Sequence, residues 1–184
     1  MFCSRLMALR GLQPLGTWWD VIPAEAGATV VISSSRDQES AEEAAARLPC
    51  PGGATHHGIK FDQVDPISLE QGFADAITTA GKVDILVNNG LVFPQEGWSD
   101  VSFEQFASGQ DNNAAYFCLA RLTRNHAVQR NTPASIIMIG SMYGQVGSYP
   151  DMYEDIWYDS PVAYPALKGG HDSHDPPLGR VLGP

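Results

Sequence analysis

Val83-Asp84-Ile85-Leu86-Val87-Asn88-Asn89-Gly90 is the stretch whose reading decides the fold. Val83 to Val87 is nearly all apolar, too short for a helix, and runs straight into an Asn-Asn-Gly turn. Such a run suits a strand covered on both faces, as in a parallel sheet flanked by helices. Towards the N-terminus, Ser68 to Thr79 predicts a helix with Pro66 and Ser68 near its start, and His57 to Phe61 a short strand. Glu39 to Leu48, rich in Ala, Glu and Arg, predicts another helix, ended by Pro49, Pro51, Gly52 and Gly53. Before it, Ala28 to Ser33 is a buried strand. Towards the C-terminus, Phe103 to Arg130 predicts a long helix, broken or weakened near Gly109, and Ser135 to Ile139 a further strand. Ser160 and Pro161 then cap a last helix carrying Tyr164 and Lys168. Strands alternating with helices imply an α/β fold, a doubly wound parallel sheet.

The two ends break this rhythm. Thr17 to Ile22 predicts a strand, but Pro23 follows at once and no helix precedes Ala28. Residues 171 to 184 hold Asp172, Asp175, Pro176, Pro177, Gly179, Gly183 and Pro184 without periodicity. The organisation expected is an atypical segment at 1–25, a core at 26–170 and an atypical tail at 171–184.

The chain has 184 residues, 43% hydrophobic and 17% charged, which suits one globular core and not a disordered segment. Eleven Lys and Arg against 21 Asp and Glu give a net charge of -10, which repels phosphate backbones and anionic lipid. Nucleic acid and membrane are therefore not expected as partners. The longest apolar runs fall short of a bilayer span, and Met1 to Leu12 lacks the apolar stretch of a signal peptide, so a cytoplasmic location is expected. Cys3, Cys50 and Cys118 are scattered and odd in number, which suits buried or incidental thiols. His171 and His174 flank Asp172, but no other ligand lies nearby, so that tract reads as a polar tail and no metal site is expected.

Tyr164 and Lys168 stand four apart and share a helix face. An ammonium beside a phenol favours the phenolate, so the phenol can exchange a proton with a carbonyl or alcohol oxygen. Ser141 follows the strand Ser135 to Ile139 at the C-terminal strand edge, where open α/β sheets take their ligands, and its hydroxyl can hold the same oxygen. A Tyr and a Lys at this spacing recur by chance in many helices. In order with a strand-end Ser and the Asn88-Asn89-Gly90 turn, the set is more specific.

With these residues the sequence resembles the short-chain dehydrogenase/reductase family over roughly Ala26 to Gly170. The resemblance implies a Rossmann-like sheet, a nicotinamide cofactor, and hydride transfer that reduces a carbonyl or oxidises an alcohol. Tyr164 would be the acid and base, Lys168 its modifier and ribose anchor, Ser141 the carbonyl holder and Asn112 the relay. Asn88, Asn89 and Gly90 match the family's strand-end turn, except that Leu91 replaces a glycine and an alanine is missing. Asp62 would meet the adenine. Intact family members imply a homo-oligomer acting on a small molecule. The long step from Ser141 to Tyr164 resembles a bacterial subgroup with a Tyr-rich insertion, whose Tyr149, Tyr153, Trp157 and Tyr158 either close the site from water or touch substrate. At the end of the second strand, Arg36 favours NADP, or is a solvated loop residue, while Asp37 keeps NAD open.

The sequence departs from the family at both ends. No Gly-rich phosphate turn follows a first strand: Arg10-Gly11-Leu12 is its only trace, with Gln13 and Pro14 after it. The sheet is thus expected to be incomplete at both ends, lacking the central first strand between those at Ala28 and Val83. Pro165 conflicts with a helix starting at Pro161. For the tail, codons permitted by His171 to Pro184, shifted by one base, encode a plausible helical continuation, so a frameshifted end is expected. A sheet so deprived should expose apolar faces, associate, and show no saturable NADPH binding. Two other functions stay open: an inactive interaction module, and a sensor that binds NADP without turnover.

Overall fold

The computed structural model describes residues 5–9, 16–92, 94–147 and 161–170. In chain order these form β1 (Arg5–Leu9), α1 (Gly16–Glu25), β2 (Thr29–Ser34), α2 (Gln38–Ala46), β3 (His57–Lys60), α3 (Pro66–Ala80), β4 (Ile85–Asn88), α4 (Phe103–Arg130) and β5 (Ser135–Met138). A last helix, α5, covers residues 163–170. The strands make one parallel sheet in the order β3-β2-β1-β4-β5.

The central strand that the sequence was expected to lack is therefore present. β1 pairs Leu6 with Val30 on one side and with Ile85 on the other. Thr17 to Ile22 belongs to helix α1 and not to a strand. Trp and β-branched residues favour a strand locally, and tertiary placement overrides that preference. Residues 10–15, where a phosphate turn was sought, lie outside the described residues, as do Cys3, Ser160, the aromatic residues Tyr149, Tyr153, Trp157 and Tyr158, and the whole tail from His171.

Met1–Leu91 and Cys118–Ile139 form one compact unit, Val92–Phe117 and Gly140–Pro184 another. In the first, both alternating faces of β2 are buried from Thr29 to Ser33, as a helix-covered parallel strand requires. Val30 and Ile32 pack with Ala24 of α1, Ala44 of α2, Val87 of β4, and Leu48. Buried Ala41, Ala44 and Ala45 in α2, and Leu69, Phe73, Ala76 and Ala80 in α3, recur at helical spacing. Asp37 and Asp65 cap these two helices by accepting N–H groups of their first turns. The start of β4 is fixed to the end of α4 by Arg130, which donates to the Asp84 carboxylate and to the Val83 carbonyl, both at 2.9 Å.

β3 is an edge strand, and Gln38 covers part of that edge: its amide donates to Gly58 O and accepts from Lys60 N, each at 2.9 Å. The approach of α2 is so close that a Cβ at Gly58 would lie 2.2 Å from the backbone of Ala41 and Glu42. Gly58→Ala is expected to destabilise the fold by about 3 kcal/mol through overpacking, seen as a lower urea midpoint at unchanged slope. An unchanged midpoint would mean that α2 and β3 do not meet here.

Candidate active site

Residues singled out by sequence fall in both units. In the first, Arg36 is exposed just past β2, with its backbone N–H on Ser34 Oγ. Asp37 is turned to another task. Its carboxylate accepts Ser40 N–H at 2.6 Å, and that bond, chiefly, holds its pKa below 3.8. Asp62 follows β3, half-buried, with one carboxylate oxygen on Val64 N–H and its own N–H on Ser68 Oγ. Asn88 ends β4 and is buried, its amide donating to Met138 Sδ on the neighbouring strand. Asn89 is half-buried and Gly90 buried in the turn that follows.

The second unit holds Asn112, Ser141, Tyr164 and Lys168. Asn112 in α4 is completely buried. Its Oδ1 accepts Val92 N–H at 3.0 Å, and its Nδ2 donates to the carbonyls of Val92 and Gly109. The side chain thereby pins the segment after β4 to α4. Gly109 does not break α4, which runs on to Arg130. A Cβ there would stand 3.0 Å from Ala163 Cβ, so the missing side chain lets α4 approach the helix that carries Tyr164.

That helix starts later than the sequence suggested, and the conflict at Pro165 vanishes with the correction. α5 begins at residue 163, which leaves Pro165 in the first turn, where a backbone N–H has no helical partner in any case. Tyr164 N–H instead bonds Pro161 O at 3.0 Å.

One turn on, Lys168 stands with its Nζ 5.9 Å from the centre of the Tyr164 ring. Lys168 is only 5% exposed, and burial pushes its pKa down to about 8 from 10.5. Ser141 opens a turn of 3₁₀ helix, Met142–Gly144, and its hydroxyl accepts Tyr143 N–H at 3.3 Å. The turn is seated on α5: a Cβ at Gly144 would lie 2.7 Å from the Lys168 carbonyl oxygen, so only glycine fits. Tyr143 meets Tyr164 edge to face at 6.2 Å between ring centres. The contacts of Gly144 and Tyr143 with α5 are two features that sequence reasoning passed over. No periodicity marks them, and only the spacing from Ser141 hints at a turn.

Chemically, this unit offers a phenol beside a buried amine, and a hydroxyl whose turn is fixed to the same helix. Of the thiols, Cys50 is exposed and Cys118 half-buried. No described helix is long and apolar enough to cross a membrane.

The chain is 33% identical over 129 residues to the L-rhamnose 1-dehydrogenase (NADP(+)) of Thermoplasma acidophilum, covering 67% of this chain and 49% of that protein. It is 33% identical over 133 residues to the L-rhamnose 1-dehydrogenase (NAD(P)(+)) of Azotobacter vinelandii, covering 67% and 50%. The chain thus spans about half the length of the curated relatives it matches. Its fold is similar to that of acetoin dehydrogenase YohF from Salmonella typhimurium, with a TM-score of 0.82 at 20% identity over 98% of this chain and 71% of that one. Residues 22–152 match the family model for short chain dehydrogenases. That match takes in most of the sheet and the Ser141 turn, and with the relatives' identity it makes this chain a member of the short-chain dehydrogenase family.

Proposed function

We propose that the chain carries the nucleotide-binding and proton-transfer parts of an NADP-linked oxidoreductase that interconverts a carbonyl and an alcohol. The observation that carries this reading is the Tyr164–Lys168 pair on α5, with the Ser141 turn seated against the same helix.

These residues suit a nicotinamide dinucleotide. Lys168 is buried, and ribose hydroxyls would add oxygen partners for its ammonium. Asn88, Asn89, Gly90 and Asp62 would hold the remainder of the nucleotide. Arg36 supports NADP over NAD because Asp37, the rival acid, is engaged as the cap of α2, leaving the guanidinium as the charged group open to a phosphate. When bound, the cofactor supplies or accepts a hydride.

The chain's own residues manage the oxygen and the proton. Ser141 Oγ, which accepts from Tyr143, keeps its O–H to donate to the substrate oxygen. Tyr164 gives its phenolic proton to that oxygen in reduction and takes it back in oxidation. Lys168, as the ammonium, stabilises the phenolate between those events. The Asn112 amide, engaged with Val92 and Gly109, supports a positioning role for the segment after Gly90 beside the relay role the resemblance implies.

Fluorescence titration of the purified chain with NADPH, coupled to a turnover assay on a panel of small carbonyls, tests the reading. Saturable binding with turnover supports it. Absent binding would favour the interaction module, and binding without turnover the sensor. Within the same assay, Arg36→Asp is expected to lower the NADP-over-NAD preference about tenfold to a hundredfold, since a phosphate partner is replaced by a repelling acid. An unchanged ratio would remove Arg36 from the site.

A further inference from the structure

Between Phe61 and Leu69, both buried, the chain places a glutamine that it also buries: Gln63 is 8% exposed, on the loop from β3 to α3. Burying a side-chain amide is costly unless it is hydrogen-bonded. Gln63 meets that requirement far from its own loop, donating from Nε2 to the carbonyl of Gly90 at 2.9 Å, across a separation of 27 residues.

Gly90 is buried and follows β4 in a stretch without regular structure, and its carbonyl accepts this bond away from bulk water. The loop at the other end of the bond is rigid in its own right. Asp62 accepts Val64 N–H, donates its N–H to Ser68 Oγ and receives Asp65 N–H on its carbonyl. The bond therefore ties a braced loop to the turn that follows β4.

We infer that Gln63 is a positioning residue of the dinucleotide site: its amide locks the Asn89-Gly90 turn to the Asp62 loop, so that the two nucleotide-holding segments keep one geometry. The inference rests on the proposed reading that these segments bind a nicotinamide dinucleotide. Gln63 itself need not touch the ligand. Its loss removes a donor from the buried Gly90 carbonyl and unties the turn from the Asp62 loop, at the expense of the bound geometry.

The test uses the full chain and NADP(+), with binding followed by tryptophan fluorescence well below the melting temperature. Gln63→Leu keeps the volume and removes the donor, and is expected to weaken NADP(+) about tenfold. The ratio of NADP to NAD affinity should stay unchanged, because Arg36 does not move. Gln63→Glu keeps the shape and serves as the second variant. As the carboxylate it cannot donate to Gly90 O, so binding at pH 8 should be weak. On acidification its protonated form regains an O–H donor, and affinity relative to the parent chain at the same pH should recover. A folded Gln63→Leu chain that binds within twofold of the parent overturns the role, as does a Gln63→Glu chain whose relative affinity ignores pH. A parent chain with no saturable NADP(+) binding overturns the dinucleotide reading itself, and the role of Gln63 with it.

Discussion

Tyr164→Phe is expected to lower turnover by about 10²- to 10⁴-fold, the usual worth of a positioned general acid and base, with cofactor affinity close to unchanged. The substitution removes one oxygen and leaves the ring. That ring makes two contacts of the site: Tyr143 lies edge to face against it and Lys168 Nζ stands 5.9 Å from its centre. The backbone is equally indifferent, because Tyr164 N–H and not its side chain bonds Pro161 O. A fall in kcat without a change in the NADPH dissociation constant therefore isolates proton transfer from architecture. Turnover like that of the parent chain would reject Tyr164 as the acid and base and shift attention to Tyr143, the neighbouring phenol.

How much of this was legible in the sequence depends on where local preference and tertiary placement agree. From β2 to β5 they agree, and each strand and helix lies within a few residues of its expected bounds. β1 shows the opposite case. Arg5-Leu6-Met7-Ala8-Leu9 contains no β-branched residue and favours a helix, yet it forms the central strand because β2 and β4 both offer it a ladder. α1 is misleading in the reverse sense, with Trp18, Trp19, Val21 and Ile22 in a helix and Pro23 inside it. The signal that could have found α1 lies at its end. Gly27, at φ 85°, receives the chain in the left-handed conformation, while Ala28 N–H bonds Pro23 O and Gly27 N–H bonds Ala24 O. Glu25-Ala26-Gly27 is thus a helix stop of the kind glycine makes without strain.

At the site, Tyr164 and Lys168 were visible because spacing alone puts them on one face. What Asn112 and Gln63 do was not visible, since both act through backbone groups of distant segments. No pattern in the sequence announces a side-chain amide bonded to Val92 or to Gly90.

Lys168→Met should separate function from stability more sharply than any other change. Turnover is expected to fall by about 10²-fold or more, because the phenolate of Tyr164 loses the charge that stabilises it, and NADPH binding should weaken as the ribose partner is lost. Stability should move the other way. Burial lowers the pKa of Lys168 to about 8 from 10.5, so below pH 8 both folded and unfolded chains carry the charge, and burying it costs the folded one stability. Between pH 8 and 10.5 the folded chain is already neutral at this residue while the unfolded chain still binds the proton, so stability rises with pH across that window. Methionine has nearly the same shape and no charge. The variant should therefore be more stable than the parent chain at pH 7, by an amount on the order of 3 kcal/mol at most, and the difference should shrink towards zero as pH approaches 10.5. Urea unfolding of both chains at several pH values measures this directly, and taking the difference cancels the other groups that titrate there. A stability difference that does not change between pH 7 and 10.5 would mean that Lys168 keeps an ordinary pKa, and that its ammonium is not a buried charge held at a cost for the sake of the site.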